Sequence, residues 1–329
     1  MKHKILQLLK GSGDKFISGQ KISDELGVTR TAIWKYINQI KEDGYQIESI
    51  SRKGYRIISS PDILTQEEIV DKLDTKVIGK NIVHFDTIDS TNIKAKEIAA
   101  NGEKEGTVVI SEEQTAGKGR LGRNWTSPKN KGIWMSVILR PDIDPMRVCM
   151  VTQVAAAAAV KAICEMGIDA KIKWPNDIVV NNKKICGILT EMSGELDKIN
   201  YVVMGMGINV NLDEEDYPIE LRDIATSIKI EEGKAIDRKI LVAKILNYFE
   251  ELYNSFVREE DIEKSLEVCR EKSILLGKEI QLIGKNEVKK AKAINIDREG
   301  RLIVRLKNGK EEAIISGEVS IRGLYGYVD

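Results

Sequence analysis

The hydrophobic pattern of this chain changes character twice, which limits the folds it can adopt. Residues 1–60 combine the helical spacing of apolar side chains with one short alternating hairpin. Residues 67–270 mix helices with long apolar strands, and residues 271–329 form a series of short alternating strands. We therefore predict an α+β fold in three domains with these boundaries.

The first domain is predicted to be a winged helix-turn-helix. Ser18 and Thr29 are suited to cap the two helices of the pair, and Gly27 ends the first helix. The segment YQIESISRKGYRII then alternates on either side of a basic turn, as a two-stranded wing does. The side chains expected to contact DNA lie on the second helix and at the wing tip: Arg30, Thr31, Lys35, Asn38, Arg52 and Lys53.

The charge distribution favours a polyanionic partner for this first domain. The whole chain has no net charge, but residues 1–60 carry 11 Lys and Arg against 6 Asp and Glu, a net charge of +5. A basic segment ahead of a mildly acidic body is typical of a nucleic-acid-binding head. The alternative is a helical hairpin that contacts another protein.

Composition restricts the chemistry of the remaining chain. With only two histidines, a multi-histidine metal site or a histidine-based triad is disfavoured. The four cysteines show no C-x-x-C spacing, which favours buried free thiols in a reducing compartment. Because no secretory signal opens the sequence and the longest apolar run, VAAAAAV, is short, we expect a cytoplasmic protein without membrane association.

The segment QTAGKGRLGRNW, residues 114–125, contains the G-x-G-x-x-G spacing of a dinucleotide-binding turn. Such a turn must open a helix, but the residues that follow are polar and are broken by a proline and a glycine. The segment therefore predicts a flexible glycine loop whose cations Lys118, Arg120 and Arg123 neutralise phosphate. On this segment alone, a solvated basic loop remains the alternative.

Neighbouring motifs favour the phosphate-binding interpretation. DSTN (89–92) precedes the loop, and KWPND (173–177), KKICGIL (183–189) and GMGINV (205–210) follow it. This set, in this order, resembles the biotin–protein ligases, and the helix-turn-helix makes the whole chain similar to the bifunctional biotin ligases and biotin-operon repressors. The family loop usually reads G-R-G-R; here Lys118 retains the charge but lacks the planar fork of arginine.

The resemblance implies a fold, a reaction and a set of partners. The central domain would contain a mixed sheet like that of class II synthetases, and the C-terminal domain would be a small SH3-like β-barrel. ATP, biotin and Mg²⁺ would give biotinyl-5′-AMP, which a lysine of a biotin carrier protein, from acetyl-CoA or pyruvate carboxylase, then attacks. The adenylate would also act as a corepressor that favours a homodimer on operator DNA.

The resemblance also implies roles for individual residues. Lys184 would bridge the biotin carboxylate and the α-phosphate, Arg120 would assist, and Asp177 would either hold Mg²⁺ or orient the incoming lysine. The residues expected at biotin are Ser90, Thr91, Asn92, Gln114, Lys118, Gly119, Arg120 and Lys184. Those expected at the nucleotide are Arg123, Trp125, Asn176, Asn209 and Arg322. The alternatives are a lipoate–protein ligase, and a ligand-sensing repressor without catalysis.

Overall fold

The computed structural model describes residues 1–195, 197–284, 287–315, 320–324 and 326–328. Its contacts divide the chain into two compact units, residues 1–63 and 64–329. The central and C-terminal sheets lie in the second unit and contribute to one hydrophobic core. The further boundary at residues 270 and 271 therefore stays a prediction.

The first unit has the predicted winged helix-turn-helix arrangement. The Ser18 side chain accepts a hydrogen bond from the Lys21 backbone, the Thr29 side chain accepts one from Ala32, and Gly27 ends its helix with a φ of 65°. Apolar residues at helical spacing fill the core beneath the antiparallel wing. The elements are α1 (Lys2–Gly11), α2 (Gly19–Leu26), α3 (Arg30–Glu42), β1 (Gln46–Ile50) and β2 (Gly54–Ser59).

The second unit is built around a seven-stranded mixed sheet, as predicted. Its order is β3-β4-β5-β9-β8-β7-β6, in which the β3–β4 pair is parallel and the other pairs are antiparallel. The strands are β3 (Ile82–Phe85), β4 (Val108–Ser111), β5 (Gly132–Leu139), β6 (Lys171–Lys173), β7 (Asp177–Val180), β8 (Lys183–Gly194) and β9 (Ile199–Asn209). The helices are α4 (Gln66–Ile69), α5 (Thr91–Ala100), α6 (Val151–Glu165), α7 (Ile228–Glu232), α8 (Arg238–Arg258) and α9 (Glu263–Glu271).

The helix α6 is buried on nearly every side. Among the residues that the structure describes, one helical segment, Pro145–Glu165, is long and apolar enough to cross a membrane, with 21 residues and a mean hydropathy of 1.5. This segment contains the run VAAAAAV, and it passes that test by length and composition alone. However, 72% of its apolar window is buried inside the protein, as is typical of a core helix.

The C-terminal residues form a five-stranded antiparallel sheet, in the order β13-β12-β11-β10-β14. The predicted hairpin at Asn308 and Gly309 is present, and Gly309 has a φ of 82°. The Trp174 indole N–H donates to the Gly300 carbonyl at 2.8 Å, which fastens the KWPND motif to this sheet. The strands are β10 (Glu279–Ile283), β11 (Val288–Ile296), β12 (Leu302–Leu306), β13 (Glu311–Ile314) and β14 (Ser320–Arg322). Part of the predicted strand GEVSIRG, residues 317–319, lies outside the described residues.

The cysteines are free thiols, as predicted, but they are not all buried. Cys186 and Cys269 lie in the core, and burial raises the pKa of both thiols. Cys164 is half-buried and Cys149 is exposed, because Cys149 belongs to a 3-10 turn at the surface (Pro145–Met150). The expectation of buried thiols is therefore wrong for Cys149.

Candidate active site

One cleft of the second unit gathers every residue predicted to act on biotin or nucleotide. The glycine loop, the KWPND turn, β8, β9 and the C-terminal sheet all contribute to its lining. The predicted residues that line it are Ser90, Thr91, Asn92, Gln114, Lys118, Gly119, Arg120, Arg123, Trp125, Asn176, Asp177, Lys184, Asn209 and Arg322. Lys183, by contrast, donates from Nζ to the Arg222 carbonyl at 2.9 Å.

A buried polar network lies where α5 begins. Thr91 donates from its backbone N and from Oγ1 to Gln114 Oε1, at 2.9 and 3.1 Å. Ser136 Oγ, on β5, lies 2.8 Å from Thr91 Oγ1. Ser90 precedes the helix, but its side chain makes no capping hydrogen bond. The network thus presents hydroxyl and amide groups that can donate and accept, as a ureido group requires.

Asn92 belongs to the same polar network and is hydrogen-bonded at both ends of its amide. Its Nδ2 donates to Glu191 Oε2 at 2.9 Å, and Ser136 Oγ donates to its Oδ1 at 2.6 Å. Glu191 is held in turn by an ion pair with Lys96 at 2.8 Å. A Cβ at Gly205 would lie 1.9 Å from Asn92 Oδ1, so only glycine leaves room for this amide. Both polar ends of Asn92 are therefore bonded to protein groups.

Trp125 lies over a stripe of glycines on the two central strands. Gly187 of β8 pairs with Gly207 of β9. A Cβ at Gly207 would lie 2.5 Å from Trp125 Nε1, and one at Gly187 would lie 3.0 Å from the same indole. Within the described part of the chain, this buried Nε1 has no hydrogen-bond partner. The absence of side chains at these glycines thus makes room for the Trp125 indole against the strands, and its N–H is left available as a donor.

The glycine loop is closed by backbone hydrogen bonds and fastened to the KWPND turn. Gly119 N donates to the Arg123 carbonyl at 2.7 Å, and Trp125 N donates to the Gly117 carbonyl at 2.9 Å. Arg120 Nη1 donates to Asn176 Oδ1 at 2.7 Å. The loop therefore brings Arg120 into contact with the KWPND turn.

The cleft has a strong excess of basic groups. Among its described lining residues, one carboxylate, Asp177, faces six basic side chains: Lys118, Arg120, Arg123, Lys173, Lys184 and Arg322. Lys184 Nζ lies 2.5 Å from Asp177 Oδ1 and 5.1 Å from the centre of the Trp125 ring. Burial opposes ionisation of Asp177, yet Lys184 and the Tyr327 hydroxyl hold the pKa of this carboxyl below its ordinary value. Such a site suits an anionic ligand.

Comparison with known proteins agrees with this geometry. Residues 2–56 match the family model of an HTH domain, residues 84–209 match the biotin/lipoate A/B protein ligase family, and residues 275–322 match the biotin protein ligase C terminal domain. The bifunctional ligase/repressor BirA of Bacillus spizizenii is 42% identical over 318 residues, covering 96% of this chain and 97% of that protein. The chain belongs to the family of bifunctional biotin ligases and repressors.

More distant relatives support the same family. The biotin–[acetyl-CoA-carboxylase] ligase of Mycobacterium tuberculosis is 30% identical over 239 residues, covering 70% of this chain and 85% of that protein. A solved structure of the biotin protein ligase from Aquifex aeolicus in complex with biotin and ATP superposes with a TM-score of 0.64 at 29% identity. The superposition covers 74% of this chain and 99% of that one. Family membership gives the enzyme class, a biotin protein ligase, with a DNA-binding repressor domain ahead of it.

Two residues of the ligase site were missed by sequence reasoning. Lys173, the first residue of KWPND, is 5% exposed, and its Nζ lies 3.2 Å from the centre of the Tyr327 ring. Burial lowers the pKa of Lys173 to about 7, a net value to which the charge of Asp177 contributes by raising it and the charges of Lys184 and Arg322 by lowering it. A lysine within the apolar segment AKIKW was an available signal, whereas nothing in the local sequence marked Tyr327.

The site offers poor support for a metal ion held by the protein. The two oxygens of Asp177 contact Lys184 and Tyr327. Among the described residues, no group of three or more His, Cys, Asp or Glu side chains is placed to hold a metal. Mg²⁺ prefers an octahedral set of oxygens and usually keeps waters and substrate phosphates. The predicted contact between Asp177 and Mg²⁺ therefore stays a prediction, and the geometry favours an orienting role for Asp177.

The repressor domain of this ligase exposes most of the predicted DNA-binding side chains. Arg30, Thr31 and Lys35 of α3 are exposed, as are the wing-tip residues Arg52 and Lys53. Asn38, in contrast, is half-buried, because it lies next to the core-facing stripe of the same helix. Sequence reasoning overlooked Trp34, which is 57% exposed and shares the face of Thr31 and Asn38 at helical spacing.

Proposed function

We propose that the chain attaches biotin to a lysine of a biotin carrier protein in two steps, through biotinyl-5′-AMP. The observation that carries this proposal is the cleft in which six basic side chains surround a single carboxylate among the described lining residues. The first step must bring two anions together, the carboxylate of biotin and the triphosphate of ATP. Such a step requires charge neutralisation and positioning more than a protein nucleophile.

In the first step, a biotin carboxylate oxygen attacks the α-phosphorus of ATP and pyrophosphate leaves. The network of Ser90, Thr91 and Gln114 supplies donors and acceptors for the ureido ring. Lys184, still paired with Asp177, would stand between the carboxylate and the α-phosphate. Trp125 and Asn209 line the space proposed for the nucleotide. Mg²⁺ would enter as part of the ATP substrate, held by phosphates and water.

In the second step, the neutral amine of the acceptor lysine attacks the carbonyl of the mixed anhydride. The carbon–nitrogen bond forms, the bond to the phosphate oxygen breaks, AMP leaves and the amine loses a proton. Asp177, held between Lys184 and Tyr327, would orient the incoming lysine. The proposed acceptor is the carrier domain of a biotin-dependent carboxylase, such as acetyl-CoA or pyruvate carboxylase.

The test that separates the candidate functions compares two acids and two acceptors. The purified protein would be incubated with Mg-ATP, labelled biotin or labelled lipoate, and a biotin carrier or lipoyl domain. Label from biotin on the lysine of the biotin carrier supports the proposal. Label from lipoate on the lipoyl domain would instead indicate a lipoate ligase, and no turnover with either acid would indicate a ligand sensor.

We also propose that the chain represses transcription as a dimer that the adenylate favours. A helix-turn-helix monomer presents one recognition helix, whereas tight operator binding usually requires two. The candidate dimer contact is an open strand edge. β7 pairs only with residues 183–187 of β8 and Asn176 bonds to Ile188, so the open part of the edge is residues 190–194, which pair only with β9 among the described strands. Carrier protein would compete for the monomer. Because operator DNA and carrier protein are both internal to the cell, we propose a cytoplasmic location.

A further inference from the structure

We propose that Tyr327 is a positioning residue of the ligase site, which fixes Asp177 with its hydroxyl and covers Lys173 with its ring. The proposal rests on the ligase function proposed above and assigns the C-terminal sheet a direct part in it. Three groups of contacts support it.

The segment that carries Tyr327 is held against the cleft from both sides. Before it, Ile321 of β14 is buried, and Gln281 Nε2 of β10 donates to the Leu324 carbonyl at 3.0 Å. After it, Val328 is only 1% exposed. Tyr327 itself lines the cleft. The position of its side chain is therefore fixed by its neighbours in the C-terminal sheet.

The hydroxyl of Tyr327 reaches the only carboxylate among the described lining residues. It donates a hydrogen bond to Asp177 Oδ2, while Oδ1 of the same carboxylate lies 2.5 Å from Lys184 Nζ. Burial and the Asp177 charge raise the pKa of Tyr327 well above its ordinary value, so the hydroxyl keeps its proton and remains a donor. A continuous line of contacts thus runs from the C-terminal sheet to the ammonium group proposed to meet biotin and ATP.

The ring of Tyr327 has a separate contact. Lys173 Nζ lies 3.2 Å from the ring centre, and the Arg322 guanidinium lies 5.9 Å from it. A ring face attracts a cation and also excludes water from it. Tyr327 therefore shields Lys173, on the KWPND motif, from solvent. Hydroxyl and ring act on two different residues, and this makes their contributions separable by substitution.

The experiment uses the full-length protein with four variants and one double variant. Tyr327→Phe removes the hydroxyl and keeps the ring, whereas Tyr327→Leu removes both. Tyr248→Phe is the matched control, because the Tyr248 hydroxyl donates to Glu165 Oε2 at 3.0 Å and lies outside the cleft lining. Asp177→Asn, alone and combined with Tyr327→Phe, tests whether the hydroxyl acts through Asp177. The measurements are kcat and KM for biotin in carrier labelling, and the midpoint of thermal unfolding.

For Tyr327→Phe we expect kcat to fall about 10- to 100-fold, since a hydrogen bond to a charged group is lost, with KM for biotin and the unfolding midpoint unchanged. In the Asp177→Asn background the same change should cause no further loss. Three results would overturn the proposal. The first is a wild-type kcat for Tyr327→Phe, and the second is a lowered unfolding midpoint for this variant. The third is a kcat of the double variant that is reduced by the product of the two single reductions. Tyr248→Phe should behave as the wild type.

A readout without turnover separates this proposal from the proposed function. Acylation of lysines by acetic anhydride, mapped by mass spectrometry, reports the accessibility of Lys173 in each variant. We expect Lys173 to be protected in the wild type and in Tyr327→Phe, and modified several-fold faster in Tyr327→Leu. Equal modification in all three would refute the shielding role. If the wild type failed to label a carrier, the ligase function would be wrong whatever the acylation pattern.

Discussion

At the scale of single residues, Lys184 is the side chain on which adenylate formation should depend most. Its ammonium lies in the cleft between Asp177 and the Trp125 ring, whereas its neighbour Lys183 bonds to the Arg222 carbonyl. We predict that Lys184→Ala lowers the rate of biotin-dependent pyrophosphate release by about 10²–10³, because a preorganised charge is lost. Lys183→Ala is the control and should retain the wild-type rate. A near-normal rate for Lys184→Ala would contradict the assigned role.

Lys173 provides a second prediction, concerning stability and pH. In the folded chain its pKa is about 7, whereas the pKa of a lysine in an unfolded chain is near 10.5. Between these values the unfolded state binds more protons, so this lysine makes the free energy of unfolding increase as pH rises from about 7 to 10. The penalty for charging Lys173 is fully present below pH 7 and absent above the unfolded pKa.

The measurement is the difference in the free energy of unfolding between the wild type and Lys173→Met, from urea titrations at several pH values. Each unit of pKa shift corresponds to about 1.4 kcal/mol, so the difference should change by a few kcal/mol across this range, in favour of the wild type as pH rises. Taking the difference between the two proteins removes the contributions to the free energy of unfolding from titrating groups that both share. If the free energies of unfolding of the two proteins changed in parallel with pH, Lys173 would not be a buried lysine with a lowered pKa.

At the scale of elements, α3 of the first unit provides a prediction that separates charge from shape. Arg30, Trp34 and Lys35 are all exposed on this helix. We predict that Arg30→Ala and Lys35→Ala each weaken operator binding and flatten its salt dependence by about one unit, because each removes a phosphate contact. Trp34→Ala should weaken binding at an unchanged salt slope, because an apolar contact with base edges releases no counterions.

The control for these variants is ligase turnover, which should remain that of the wild type, because the residues belong to a separate compact unit. Operator binding would be measured over a range of salt concentrations. A change in salt slope for Trp34→Ala, or a loss of carrier labelling in any of the three variants, would contradict the assignment of this face to DNA.

The elements that could be predicted from the sequence are those whose signals are local. The caps Ser18 and Thr29 and the terminator Gly27 lie within a few residues of the groups they satisfy, so pattern alone located both helices of the pair. Residues in contiguous motifs, such as Asn176 and Lys184, were predicted to belong to the site from the resemblance to the biotin–protein ligases, and both line the cleft. Contacts across the fold could not be predicted: Tyr327 reaches Asp177 across 150 residues, and Ser136 of β5 contacts Thr91 at the start of α5.

At the scale of the whole molecule, ligation and repression would be linked through one ligand, the adenylate. We predict that a non-hydrolysable biotinyl-adenylate analogue shifts the protein from monomer to dimer in sedimentation velocity, and that operator DNA tightens binding of the analogue, since coupling is reciprocal. A charged substitution at the open edge of β8, Met192→Lys, should prevent the shift, because Met192 is 45% exposed there. The control is carrier labelling, which a monomer should still perform.

An unchanged monomer at concentrations that saturate the operator would refute this coupling. A dimer present without the analogue would restrict the effect of the ligand to a change within the dimer. Neither result would alter the assignment of the cleft, because every residue assigned to adenylate formation belongs to one chain.

The most direct test of the central claim, that the basic cleft activates biotin, is the burst of pyrophosphate in the absence of carrier protein. We predict about one equivalent of pyrophosphate per chain when biotin and Mg-ATP are added together, with biotinyl-5′-AMP retained on the protein and detectable by mass spectrometry. Subsequent addition of carrier should release AMP. The same burst with lipoate in place of biotin, or no burst that depends on biotin, would contradict the account.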